Sequence, residues 1–209
     1  MTESARQALE NLRITDNFQW YVVPLFLVVV YMYAVEAERR NWSVVFAGLA
    51  LWGMDWFNEI WNGLVFHFTD RAPFWAAPEG SAYLILIGLN IEICLMFAMM
   101  GVTTAKLLPA DRGLRVLGVP NRAFFAVALS VAAMLIEQLL HAAGALTWDW
   151  WFWSAWFPVL IVLIGYLPFF VVAFWVHDMG DVRRQAATVG GILGFDAACL
   201  ALFLALGWI

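Results

Sequence analysis

Between Leu51 and His67 the chain reads LWGMDWFNEIWNGLVFH. This is an apolar stretch into which Asp55, Asn58, Glu59, Asn62 and His67 are set. On a helix advancing about 100° per residue, Trp52, Asp55, Asn58, Glu59 and Asn62 all fall within about 60° of Asp55. The spacing predicts one polar stripe on an otherwise greasy helix. Carboxyl groups in hydrocarbon are costly unless they face a protein interior. Further acids sit in other apolar stretches: Glu92 beside Asn90, Glu137 one turn before His141, and Asp196. Carboxyl groups kept from water and close to one another favour their neutral form. A neutral acid in an apolar, aromatic pocket is a proton donor to an alkene or epoxide. The resulting carbocation is stabilised by aromatic faces. Trp52, Trp56 and Trp61 lie on the striped helix, and Trp148 to Trp156 lie in an aromatic run, WDWWFWSAWFP, at 148–158. The plainer reading of the stripe is a polar seam that holds helices together.

The elements that must position these groups follow from composition. The 209 residues are 64% hydrophobic and 13% charged, with mean hydropathy +0.80. That composition predicts an all-α, polytopic integral membrane bundle rather than a soluble domain. Apolar stretches predict about six spans, near 19–35, 43–67, 81–107, 122–145, 158–176 and 187–209. Residues 1–17 are polar, without the apolar run of a cleavable signal, and form a short interfacial helix or a frayed end. Residues 18–209 form a single transmembrane bundle. Arg39, Arg40, Lys106, Arg112, Arg115, Arg122, Arg183 and Arg184 fall at one face of this topology, and Arg6, Arg13 and Arg71 at the other. The basic face is placed in the cytoplasm, so both termini are expected outside. The expected setting is a bacterial plasma membrane.

Counted along these spans, the acids form a slab in the middle and outer half of the bundle. Asn90 and Glu92 point about 200° apart, so one of them faces the shared cavity, and Glu92 is preferred. The basic residues are confined to loops, so no nucleic-acid partner is expected. Cys94 and Cys199 are read as free buried thiols. Three histidines are too few for the membrane desaturases and hydroxylases. Glu137 and His141 with Glu59 or Glu92 leave a carboxylate-rich di-metal site open as an alternative. A haem held by His67 and His141 is a remoter one. Phosphate-binding, nucleophilic-serine and zinc motifs are missing. Lys106, the single lysine, is misplaced for a retinal Schiff base. Six spans without repeats make a poor transporter.

The segments MDWFNEIWNGLVFH and GLNIEICLMFAM, with the late acid of GFDAACLALF, resemble the integral-membrane terpene cyclases of fungal meroterpenoid and indole-diterpene pathways and their small bacterial relatives. The likeness covers mainly the second, third and sixth spans. It implies that Glu59 is the general acid and that Asp196 polarises it or takes the final proton. The chain departs from that family: its members have seven spans, and their acid directly follows a Trp, whereas Asn58 precedes Glu59 here. A fainter resemblance is to emopamil-binding-type sterol isomerases, which also protonate an alkene with intramembrane glutamates.

The expectation is therefore an enzyme, a membrane-embedded isoprenoid cyclase acting on a hydrophobic isoprenoid or lipid in the bilayer. Glu59 and Asp196 are the expected catalytic residues. Asp55, Asn62, Glu92, Glu137, His141, Trp52 and Trp56 bind substrate or tune the acids. No metal or organic cofactor is required. A sterol or lipid double-bond isomerase, a di-metal oxidase, and a non-enzymatic membrane subunit or transporter are the alternatives.

Overall fold

The computed structural model describes residues 1–16, 18–78 and 80–209. Asn17, the last residue of the expected polar segment, lies outside the described residues. The chain is mostly helical. Seven α-helices are described: α1 (Glu3–Asn11), α2 (Val22–Glu38), α3 (Trp42–Thr69), α4 (Ile91–Lys106), α5 (Asn121–Ala142), α6 (Leu167–His177) and α7 (Val182–Ala205). A π-helical stretch, Ile161–Tyr166, leads into α6. Two minimal hairpins precede helices: β1 (Leu84–Leu86) with β2 (Leu89–Asn90), and β3 (Arg115–Val116) with β4 (Val119–Pro120). By length and apolar composition, α5 and α7 suffice to cross a membrane.

α3 is the axis of the bundle. Its 28 residues span about 42 Å at 1.5 Å per residue, more than the ~30 Å of a hydrocarbon core. It packs against α2, α4, α6 and α7. α5 stands apart from it, resting mainly on α6 and the π-helical stretch. The main core is aromatic and aliphatic, with Trp75, Phe97, Met134, Trp153, Phe169 and Phe170 at its centre.

The expected third span is corrected. The helix begins at Ile91 rather than near 81, because residues 84–90 form the first hairpin. The run YLILIGLN is apolar enough for a helix, but it turns at Ile87–Gly88, and Asn90 then caps α4 by accepting from the Ile93 N–H at 2.8 Å. Glu92 therefore sits in the first turn of α4, not in mid-membrane.

Pro168 shapes the fifth long helix. Proline has no N–H, so it cannot donate to the carbonyl of Ile164 four residues earlier. The backbone widens into the π-helical stretch before that point. Asn58 of α3 supplies replacement donors, from Nδ2 to the Ile164 carbonyl at 3.3 Å and the Gly165 carbonyl at 3.4 Å.

One end of the bundle is an ionic clamp. Lys106 Nζ meets Glu36 Oε1 at 2.5 Å, and Arg122 grips Asp178 through two 2.9 Å hydrogen bonds. Burial opposes the Asp178 carboxylate. The hydrogen bonds from Arg122 and His177, with the charges of Arg122 and Arg112, outweigh it and hold its pKa below the usual value. Gln185, fully buried, donates to the Val176 carbonyl at 3.0 Å and closes the α6–α7 turn.

The other end is a lid made from the chain after α3 and the chain after α5. Ala76 and Thr147 exchange backbone hydrogen bonds at 3.1 and 2.9 Å. The N-terminal helix α1 ties the lid down. Asn11 donates to the Pro78 carbonyl at 2.7 Å, the Arg13 N–H to the Leu84 carbonyl at 3.0 Å, and the hydroxyls of Thr2 and Ser4 to Asp149. Ala5 and Ala8 are the buried face of α1, so this polar segment is docked rather than frayed. Asp149 is thus a docking point for α1.

Candidate active site

The striped face of α3 is buried along its whole length. Asp55, Asn58, Glu59 and Asn62 are all under 8% exposed. Each has a separate task. Asn62 fixes the lid: its Nδ2 donates to the Trp75 carbonyl at 2.7 Å, and its Oδ1 accepts from the Phe74 N–H at 2.7 Å. It therefore holds backbone rather than facing a ligand. Asn58 holds the π-helical stretch, as described above. Glu59, one turn from Asp55, accepts from the Trp75 indole N–H at 2.8 Å through Oε1, and its Oε2 has no partner among the described residues.

Trp75 reaches Glu59 because Gly88 leaves room. A Cβ on Gly88 would lie 2.5 Å from both Cδ1 and Nε1 of the indole. Trp75 in turn stacks on Trp153 with ring centroids 5.3 Å apart, and Phe74 stacks on Trp153 at 5.2 Å. An aromatic ceiling thus closes over the acid.

The opposite wall comes from α5. Glu137 Oε1 accepts from the Trp148 indole N–H at 3.1 Å, and Tyr166 lines the slot with it. Tyr166 belongs to the π-helical stretch that Asn58 holds, so α3 indirectly positions a phenol in the slot. Between the walls lies a narrow slot, a cavity of about 50 Å³. Asp55, Glu59 and Glu137 line it, with Tyr166, Trp75, Trp153 and the apolar side chains of Ile93, Met96, Phe97 and Leu140. No lysine, arginine or histidine is among its lining residues.

The structure brings together only part of the predicted set. Asp55, Glu59 and Glu137 share the cavity. Glu92 does not: it accepts from the Tyr21 and Ser81 hydroxyls and the Ala82 N–H, at the N-terminal end of α4. Neither Asn90 nor Glu92 faces the slot. His141 donates from Nδ1 to the Leu146 carbonyl at 2.9 Å and stacks on Trp148 at 4.2 Å, so it supports Glu137's partner from behind. Trp52 donates to Cys94 Sγ at 3.3 Å and packs edge-on to Trp56, both facing α4 and α7 rather than the slot. Asp196 lies across α3 from the cavity. Its carboxyl stands beside Gly53, 3.6 Å from where a Cβ would be, and neither oxygen has a partner among the described residues. It is close enough to Asp55 for their charges to interact. Among the described residues no three His, Cys, Asp or Glu side chains group as metal ligands.

Residues 2–205 match the model of an uncharacterized membrane protein family. The chain belongs to that family. A second member, an uncharacterized protein of Archaeoglobus fulgidus, is 57% identical over 205 residues, covering 98% of this chain and 97% of its own. A shorter uncharacterized protein of the same organism is 66% identical over 53 residues, which is 25% of this chain and 95% of its own. No solved structure matches the chain. Membrane character thus stands on the family, while the relatives are archaeal and do not support the expected bacterial setting. The family carries no assigned chemistry, so the reading of its site rests on the geometry above.

Sequence reasoning missed Trp75 and Tyr166, which come from the lid and the π-helical stretch, and did not single out Trp153 within its aromatic run. Asn58 was visible in the stripe, but its role depends on Pro168, which is 110 residues away in sequence. The proline in an apolar helix was the one available signal.

Proposed function

We propose that this protein is a membrane-embedded proton-transfer enzyme that cyclises an unsaturated isoprenoid lipid. The observation that carries the reading is the pairing of Glu59 and Glu137. Two carboxyls from different helices face one apolar, aromatic-walled slot with no cation among its lining residues. In this reading six helices, α2 to α7, cross the bilayer, with the ionic clamp in the cytoplasm and the lid and both termini outside.

Glu59 has an oxygen without a partner, and it delivers the proton. Its O–H bond breaks as a C–H bond forms on an alkene carbon, or the proton opens an epoxide. The cation left on the neighbouring carbon is held against Trp75, Trp153 and Tyr166. Ring closure moves an alkene pair onto that cation. Glu137, which already accepts a hydrogen bond from Trp148, takes the proton lost from an adjacent carbon as the new double bond forms. Substrate and product are isomers, so no oxidant or reductant is consumed. General acid–base steps of this kind contribute roughly 10²–10⁴-fold each. Asp196, outside the slot, acts through Asp55, and the role of proton acceptor passes to Glu137.

Double-bond isomerisation is the second reading. It is favoured by the narrowness of the slot and needs only the same two carboxyls, one giving a proton and the other removing a different one. The test is incubation of the membrane-reconstituted protein with a polyprenyl alcohol and with a sterol in D₂O, followed by mass spectrometry of the extracted lipid. One deuteron gained with one double bond lost supports cyclisation. One deuteron gained with the double-bond count unchanged supports isomerisation. No deuteron gained, or full incorporation by Glu59→Gln, overturns the proton-transfer reading.

A further inference from the structure

The slot is too narrow to enclose a long lipid, yet one side of it is weakly built. α4 and α5 each pack on the α6 segment, but their backbones scarcely approach one another. On the two sides of this seam, Met96 and Met100 of α4 and Leu129, Met134 and Leu140 of α5 pack on the same aromatic core. Methionine has three rotatable bonds and refills irregular gaps at little cost. α3 presses on α4, α6 and α7 along its length, and the lid is stitched by the Ala76–Thr147 pair and covered by α1. Met96 and Leu140, one from each side of the seam, both line the slot.

We propose that the α4–α5 seam is a lateral portal from the bilayer, through which a long-chain unsaturated lipid inserts only its apolar end. The tail lies in the seam, displacing methionine side chains, and the terminal unsaturated unit reaches Glu59 and Glu137. This deepens the proton-transfer reading and rests on it for the chemistry at the inserted end. It also accounts for a slot that matches one end of a chain rather than the whole. The substrate class is then set by the end of the lipid away from its headgroup. Chains with a terminal alkene unit are accepted, and chains with bulky or charged ends are rejected.

The experiment is photo-crosslinking of the full-length protein in liposomes containing a polyprenyl alcohol with a mid-chain diazirine, with labelled residues mapped by mass spectrometry. Labelling is expected on α4 and α5 around Met96, Met100, Leu129 and Leu140. It should be lost in the double variant Met96→Trp with Leu140→Trp, and kept in Met96→Leu. Labelling on α7, on α2 or on the lid would overturn the portal, as would labelling that persists in a folded double variant. Should the double variant fail to fold, the wild-type and Met96→Leu labelling maps decide alone. Glu59→Gln separates the two proposals. Seam labelling without deuterium gain in wild-type protein sinks the chemistry but keeps the portal. Deuterium gain with labelling elsewhere does the reverse.

Discussion

The two ends of the bundle treat carboxylates in opposite ways. At the ionic clamp, Glu36 meets Lys106, and Asp178 meets Arg122, Arg112 and His177. In the slot, Asp55, Glu59 and Glu137 are also buried, and Glu59 and Glu137 meet indole donors rather than cations. A buried charge needs a counter-charge or must give up its ionised form. The clamp takes the first course, which makes its acids fasteners. The slot supplies no cation, and in the proposed reading its carboxyls pass protons instead, Glu59 giving one and Glu137 taking one. Counting acids alone would not separate the two; their partners do.

The contrast breaks most visibly at Glu59. Glu59→Gln keeps the shape and can still accept from Trp75, so folding should survive while deuterium incorporation falls by roughly 10²–10⁴-fold. A folded variant with unchanged incorporation would make the slot another seam. Asp178→Asn should do the opposite. Losing charge-assisted hydrogen bonds to Arg122 should cost about 1–3 kcal/mol in thermal or chemical unfolding in detergent, with turnover per folded molecule unchanged. The effect depends on pH with a definite sign. The folded pKa of Asp178 lies below its unfolded value, so its contribution is full above the unfolded value and is lost as pH falls through the folded one. The acid-side loss of stability should accordingly be shallower in Asp178→Asn than in wild type.

Smaller effects sharpen the boundary between the ends. Trp75→Phe removes one hydrogen bond to Glu59 and should lower turnover by roughly fivefold, the equivalent of about 1 kcal/mol. Gly88→Ala reaches the same indole by steric means and should match or exceed it, read by the same deuterium assay. At the bottom of the scale, Arg6→Ala breaks the exposed Glu3 and Glu10 pairs on α1. It should leave the unfolding midpoint where it was, because such pairs are solvated in both states.

The α3 stripe was legible in the sequence because helical periodicity is a local property, and four polar positions beside Trp52 on one face are hard to read otherwise. Glu137 was legible for the same reason. The first hairpin was not, since an apolar run of that length suits a strand or a helix equally. The placement of Glu92 went wrong with it. The side of α7 that carries Asp196 was not legible either, because Gly and Ala around it give the helix no clear face. The aromatic ceiling depends on contacts between loops separated by some 70 residues in sequence, Ala76 with Thr147 among them. No local pattern announces such a pairing.

The wide turn at Ile161–Tyr166 has a consequence for inheritance. A π-helical turn holds one residue more than an α-turn of the same height. Deleting one residue there would restore regular pitch and rotate everything before it by about 100° relative to α6. Tyr166 or the Trp153 ring would leave its place, while the lower helix kept its packing on α3. A relative lacking that residue could share the bundle and still lack the slot. The length of this single turn is therefore the first thing to compare when asking which family members share the chemistry.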